Sequence, residues 1–471
     1  MAQPHRDAIS QLRREMGFWD VLLFNIAAVL GPRWIAAAAH NGASSLSLWA
    51  LAAVFFFVPT ALVITELSTR FPSEGGLYIW TREAFGDFHG FVAGWAYWVY
   101  SFFYFPGLLV ASTAMSAYVG GMGHSHLAND RGFLLAGSLL LLGVAVGMNI
   151  VGLNIGKWLQ NAGGVGTYAP LLILVGISVV IFLRFGSQTH INWRSALPVW
   201  DFDTVNFWSQ IAFAFTGMEL VCAMSEEVRD PKRTFPRAIL GSGVLIAIIY
   251  MLGTIATMVL VPPAEVDPKS GVFQAITSGS HLLGIGIVGV MAALLVTVGN
   301  AGGVGTTVAG VARVPFAVGI NSYLPAFFGK IHPRWRTPYI SILIQAGISA
   351  VILILAQTNE TVNGAYQVLV DAAIILYFLP FLYMYAAAIK LAYRADRTQA
   401  SDAVLIPGGL PGVWIVGLLG FLICLLSMAL SMIPPGETTN RVVFEFKLIG
   451  GTGIALLIGL VLYWRSKTAA S

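Results

Sequence analysis

The chain has 471 residues, of which 57% are hydrophobic and only 10% charged, with a net charge of +4. A soluble globule carries roughly a quarter of its residues charged, so this composition excludes a protein that turns a water-facing surface outward over most of its length. The small positive balance follows from where the loops fall, and it does not point to a nucleic-acid partner.

Apolar stretches of the roughly 20 residues needed to cross a hydrocarbon core recur along the chain. Twelve are predicted, at about 18–41, 46–69, 88–120, 132–151, 158–183, 205–225, 237–261, 283–318, 338–356, 364–391, 411–432 and 446–464. They are too long for barrel strands and lack their two-residue alternation, so the expected fold class is an all-α polytopic membrane protein. The first apolar run carries Asp20 and Asn25 and leads into a full span, unlike a cleaved signal peptide. If the N-terminus, with Arg6, Arg13 and Arg14, is cytoplasmic, most basic residues fall on that side. Only Arg131, Arg184, Arg194, Lys269, Arg441 and Lys447 then lie outside. The positive-inside rule therefore places both termini in the cytoplasm. Cys222 and Cys424 lie in apolar stretches and read as packing residues. "GLNIGKW" (152–158) lacks the spacing and the Ser/Thr of a phosphate loop, so no nucleotide-driven pump is implied.

Two spans carry interruptions. "NIAAVLGPRWI" in the first holds a Gly-Pro pair beside Arg33, and "IAFAFTGMELV" (211–221) in the sixth holds Thr216-Gly217 followed by Glu219. Irregular backbone at membrane depth needs partners for its freed N–H and C=O groups, so it belongs beside a cavity. The five-span offset is the one expected when two five-helix halves are inverted copies whose first helices unwind around a shared site. The plain alternative for either interruption is a kink.

"ELSTRFPSEGGLYIWTREAFGDFHGFVAGWAYW" (66–98), "FAFTGMELVCAMSEEVRDPKRTFPRAI" (213–239), "RVPFAVGINSYLPAFFGKIHPRWRTPYISI" (313–342) and "LYFLPFLYMYAAAIKL" (376–391) together resemble the amino acid–polyamine–organocation permeases. The resemblance covers about residues 15 to 395 and implies a leucine-transporter-type fold. It would comprise helices 1–5 and 6–10 as inverted repeats, with helices 1 and 6 broken, and two peripheral helices. The implied layout is one transporter domain over 1–471: a cytoplasmic segment 1–17, a first repeat 18–203, a second repeat 204–395, and helices 11 and 12 with a cytoplasmic tail over 396–471.

The chain departs from the family at the first break. The usual Gly-Ser/Thr-Gly, which leaves backbone N–H groups for a substrate carboxylate, reads Gly31-Pro32-Arg33, and proline has no N–H. Arg33 can supply the lost donors, because a guanidinium offers five N–H groups and pairs bidentately with carboxylate. Two other readings stand: a pairing with an internal acid, Glu219 or Asp371, or an escape to water at the outer mouth. In helix 5 no lysine follows Gln160-Asn161, and Thr167 occupies the position where some members carry one, so coupling by that lysine is excluded. Thr306 and Thr307 could face helix 1 as sodium-site hydroxyls do in this fold, or bond within their own helix. By the resemblance, Val29, Gly31, Pro32, Arg33, Tyr100, Ser101, Phe105, Phe213, Phe215, Thr216, Gly217, Glu219 and Thr307 are substrate-site candidates. Glu219, Asp371, Thr306 and Thr307 are the coupling candidates. Glu226 and Glu227 read as gate or loop residues pairing with Arg229 and Arg233, and His124 and His126 as loop residues without a ligand role.

The expected function is secondary transport or exchange of amino acids or related amines across the cytoplasmic membrane by alternating access. Its partners are a small-molecule substrate and the lipid bilayer, with proton or sodium coupling open and no cofactor or metal implied. A receptor built on the transporter fold is the alternative. A channel is disfavoured because the ionisable residues cluster at two breaks instead of lining a continuous polar face. No nucleophile–base pair or metal spacing suggests an enzyme.

Overall fold

The computed structural model describes residues 17–71, 76–151, 153–199, 201–220, 228, 230–320, 324–335, 337–356, 361–394, 403–434 and 440–470. Among these the regular structure is helical, with no strand. The first span is two helices, α1 (Phe18–Val29) and α2 (Pro32–His40), joined by Leu30 and Gly31 in extended conformation. The break is thus earlier than the expected Gly31–Arg33: Pro32 and Arg33 are helical, and only Leu30 and Gly31 are not. The reason is local. Proline cannot donate a backbone hydrogen bond, and the first position of a helix is where that donor is not needed. Pro32 therefore starts α2 instead of interrupting it.

Next comes α3 (Ser45–Arg70), which contains a π-turn over Ala53–Phe57. The turn sets Phe56 against Phe378 and Phe57 against Phe215, with ring centroids 5.6 and 5.7 Å apart. A short helix α4 (Leu77–Phe85) precedes α5 (Asp87–Gly120), followed by α6 (Arg131–Val151) and α7 (Leu153–Phe185). The sixth span begins as α8 (Phe202–Ala214), capped by the Asp201 carboxylate accepting from the Thr204 N–H, and it stops at Phe215. Residues 221–227 lie outside the described set, and with them Cys222, Glu226 and Glu227; Arg229 does too.

The second half continues with α9 (Pro231–Leu260), α10 (Gly271–Leu282), α11 (Ile287–Ile320), α12 (Tyr339–Ala356) and α13 (Val362–Leu391). Then come α14 (Gly409–Ser431) and α15 (Arg441–Ala470). Helix α10 was not anticipated. Its 12 residues are too few to cross a bilayer, and the eighth span starts after it, at Ile287 and not at 283.

Among the described residues ten helices are long and apolar enough to cross a membrane. The broken pair α1/α2 and the truncated α8 fall short singly, with 12, 9 and 13 residues. Within the bundle α5 and α13 are central: 78% and 72% of their apolar stretches are buried, against 22% for α6 and α15. The outer helices present Leu422, Leu425, Val442, Ile454 and Leu457 outward, as a lipid-facing surface requires. Helices α7 and α11 approach at backbone distance. A Cβ on Gly166 would lie 2.3 Å from the Leu295 carbonyl oxygen, so only glycine fits there.

Candidate functional site

The two breaks lie side by side. Gly217, at φ +109°, takes a left-handed conformation that favours glycine, and a Cβ there would sit 3.2 Å from the Ala28 carbonyl. One side chain ties both breaks. The Tyr250 hydroxyl of α9 accepts from the Gly31 N–H at 3.2 Å and donates toward the carbonyls of Val29 at 2.8 Å and Ala214 at 3.1 Å. A hydroxyl has one proton, so the two carbonyls share it. Backbone groups freed in helices 1 and 6 are thereby satisfied without water. Trp49 stacks on Tyr250 at 4.2 Å and donates its indole N–H to Thr254, while Phe215 packs edge-on against both rings. Val29, Gly31 and Phe215 therefore belong to this lock.

Glu219 organises the second break. Its Oε1 accepts from the hydroxyls of Tyr97, at 3.0 Å, and Tyr377, and its Oε2 accepts from the Gly217 N–H at 3.1 Å. The carboxylate is buried, and its three donors come from α5, α13 and the break itself. Thr216 spends its hydroxyl on the Phe213 carbonyl.

Arg33 is only 3% exposed, yet among the described residues its guanidinium makes no ion pair and no hydrogen bond. It lies against two ring faces, Trp34 at 4.3 Å and Tyr104 at 4.8 Å. Neither Glu219 nor Asp371 pairs with it, so the reading that locks Arg33 to an internal acid fails for both. The burial also removes the reading that carries it to outer water. An aromatic wall runs from the cation to the acid. Phe213 stands edge-on to Trp34 at 5.6 Å and to Tyr377 at 5.4 Å, and Tyr100 lies 5.6 Å from Tyr104 and 4.6 Å from Tyr377. The buried Tyr366 hydroxyl of α13 has no hydrogen-bond partner among the described residues. The guanidinium lies close enough to act on it electrostatically.

The other expected residues fall elsewhere. Ser101 bonds the Trp98 carbonyl and accepts from Gln345 of α12, which turns it from the breaks. Phe105 backs Tyr104 at 6.0 Å. Asp371 is buried in α13 and, among the described residues, accepts only from Gln367. Thr306 and Thr307 lie on α11, with their side chains outside the described set. Among the described residues no cluster of three His, Cys, Asp or Glu could hold a metal. Sequence reasoning missed Tyr97, Tyr250, Tyr366 and Tyr377. In a chain with 12% aromatic residues nothing singles out these four, and only Trp34, inside "GPRW", stood where it could be noticed.

Two broken helices fastened together inside a bundle of apolar spans, with a buried cation on one that meets no acid among the described residues and a buried acid on the other, define a membrane transporter for a small solute. Residues 16–454 match the amino acid permease family, and the chain belongs to it. It is 28% identical to an uncharacterized transporter of Legionella pneumophila over 93% of this chain and 94% of that protein. It is 24% identical to the serine/threonine exchanger SteT of Bacillus subtilis over 86% and 90%. The crystal structure of MhsT in complex with L-phenylalanine superposes with a TM-score of 0.64 at 14% identity, over 87% of this chain and 98% of that one, which shows the leucine-transporter-type fold. The protein is a transporter of amino acids or related amines, not an enzyme.

Proposed function

We propose that this permease moves amino acids bearing a free carboxylate across the cytoplasmic membrane, by alternating access around the paired breaks of helices 1 and 6. The observation that carries this reading is Arg33, a buried guanidinium with no acceptor among the described residues. The backbone donors of the first break are already used or missing, since the Gly31 N–H is on Tyr250 and Pro32 has none. Recognition of an acid group then passes to the five N–H donors of Arg33, with the Tyr366 hydroxyl as a second donor. The same cation repels a substrate that is only an amine. Glu219, with both oxygens held by protein donors, shapes the second break and its aromatic wall. The arginine and lysine distribution supports cytoplasmic termini, and the five-span offset of the breaks supports two inverted five-helix repeats.

The test is counterflow in proteoliposomes loaded with unlabelled L-serine or L-glutamate, using the same labelled amino acid outside, with agmatine and putrescine as amine controls. Amino acid exchange without diamine exchange is expected. Exchange of the diamines alone would overturn the role of Arg33. Binding of an amino acid without flux would make the protein a receptor.

A further inference from the structure

Helix α13 carries three amide or acid side chains at four-residue intervals, Asn363, Gln367 and Asp371, which places them on one face over about 12 Å. Each meets a different partner. Asn363 accepts from Lys269 in the loop between α9 and α10. Gln367 accepts through its Oε1 from the Gln210 amide of α8, at 3.2 Å. Its own Nε2 donates to both Asp371 oxygens, at 3.1 and 3.0 Å. The face then turns apolar at Ile374, Ile375 and Phe378. The stripe leads inward from the outer loops and stops at a buried acid.

Nothing among the described residues neutralises that acid. Among the described residues no lysine, arginine or histidine pairs with Asp371, and Gln367 is its only hydrogen-bond partner. The titratable groups among the described residues on the elements packed around α13 include His89, Tyr97, Tyr100, Tyr104 and Tyr118 of α5, Cys424 of α14 and Glu445, Lys447 and Tyr463 of α15, with Tyr366, Tyr377, Tyr383 and Tyr385 on α13 itself; none bonds to Asp371. The charged residues of α3 and α4 engage the far end of α13, where Arg70 meets the Leu391 carbonyl and Glu83 meets Arg394. Lys269 is two turns away and already has three acceptors. A carboxylate left dry with one neutral donor is far costlier than the neutral acid.

We propose that Asp371 is a proton-carrying site loaded from the outer face, and that Gln367 and Gln210 relay its charge state to the outer half of the broken sixth helix. This rests on the transport reading above. The chemistry is one O–H bond: a proton from outer water adds to the carboxylate and is later released. An ionised Asp371 only accepts, which calls for the Gln367 NH2 toward it and leaves the Gln367 carbonyl for Gln210. A protonated Asp371 must donate, and the carbonyl within reach is that of Gln367. Its amide then turns over and presents NH2 to Gln210, reversing the chain. Drying the site as the transporter closes requires the proton, because no cation is at hand. The proton therefore travels with the cycle.

The test uses reconstituted wild-type, Asp371→Asn and Gln210→Leu proteins with labelled L-serine and L-glutamate as probes. In the wild type an acid-outside pH gradient should drive accumulation, and pH-difference infrared spectra should show a protonated-carboxyl band. In Asp371→Asn, which imitates the neutral acid, exchange should persist while gradient-driven accumulation and that band disappear. Gln210→Leu should keep the band and lose the accumulation. Gradient-driven accumulation surviving in Asp371→Asn, or a wild-type spectrum with no band that this variant removes, overturns the proposal. If the wild type moves neither amino acid, the transport reading fails, and the infrared titration still decides whether Asp371 binds a proton.

Discussion

Lys269 and Arg33 are both buried cations, and the fold treats them in opposite ways. Lys269, fully buried, gives its ammonium three oxygens: Asp267 and Asn129, each at 3.0 Å, and Asn363. Three donors meet three acceptors, and the contact fastens the chain after α5, the loop before α10 and the start of α13 to one another. Arg33 has five donors and, among the described residues, gives none of them to an acceptor; it has only the faces of Trp34 and Tyr104. In a dry interior a completed shell marks a fastening, whereas an incomplete one marks a place that a ligand completes.

The comparison breaks first at Lys269. Replacing it by methionine leaves the Asp267 carboxylate and two amide oxygens without their cation. Removing one partner of a buried pair costs about 3–5 kcal/mol, so the purified protein should melt at a markedly lower temperature. A variant that melts like the wild type would show that the fastening carries no stability.

Arg33→Ala should do the reverse, with little change in melting temperature and a loss of substrate affinity. A charge-assisted hydrogen-bonded contact is worth about 1.5–3 kcal/mol, or roughly ten- to a hundredfold in Kd. Lysine should restore only part of this, because it lacks the planar fork. Titration calorimetry and melting on the same preparation separate the outcomes. A collapse in stability with normal binding in the surviving protein would make Arg33 a second Lys269.

Tyr366→Phe sharpens the contrast. Its hydroxyl is unpartnered among the described residues, so removing it should leave stability unchanged or slightly raised. If it is the second donor to the substrate, affinity falls by about 0.5–1.5 kcal/mol, roughly two- to tenfold. A loss of stability without a loss of affinity would assign the hydroxyl to the protein's own packing.

The smallest effect is confined to acid. Burial pushes the Asp267 carboxyl up, but the Lys269 ammonium, with the hydrogen bonds from Lys269 and Ser270, pulls it further down, below the ordinary carboxylate value. A group depressed in the folded state contributes stability above its unfolded value, about 3.9 for aspartate, and loses it as pH falls through the folded value. The melting temperatures of wild type and Asp267→Asn should therefore differ by a constant amount near neutrality and converge below about pH 4. A difference that persists unchanged into strong acid would exclude an ionised Asp267 as the source of the stability.

Composition and local chain chemistry determined a good deal of this protein. With so few charges, the long apolar runs have to be membrane helices, because only helices satisfy their own backbone inside lipid. Gly31-Pro32 and Thr216-Gly217 marked the two breaks, since proline and a left-handed glycine act within one turn of themselves. Even there the register needed the fold, because proline's missing N–H costs nothing at a helix start and Arg33 came out helical. What fills the breaks was decided only in three dimensions. Gly31 meets Tyr250 across 219 residues of chain, and Glu219 meets Tyr97 across 122 and Tyr377 across 158. Partners so distant leave no local pattern, and tyrosines are too common here to stand out. Whether a buried charge is free or paired is likewise a property of its neighbours, and its neighbours come from other helices.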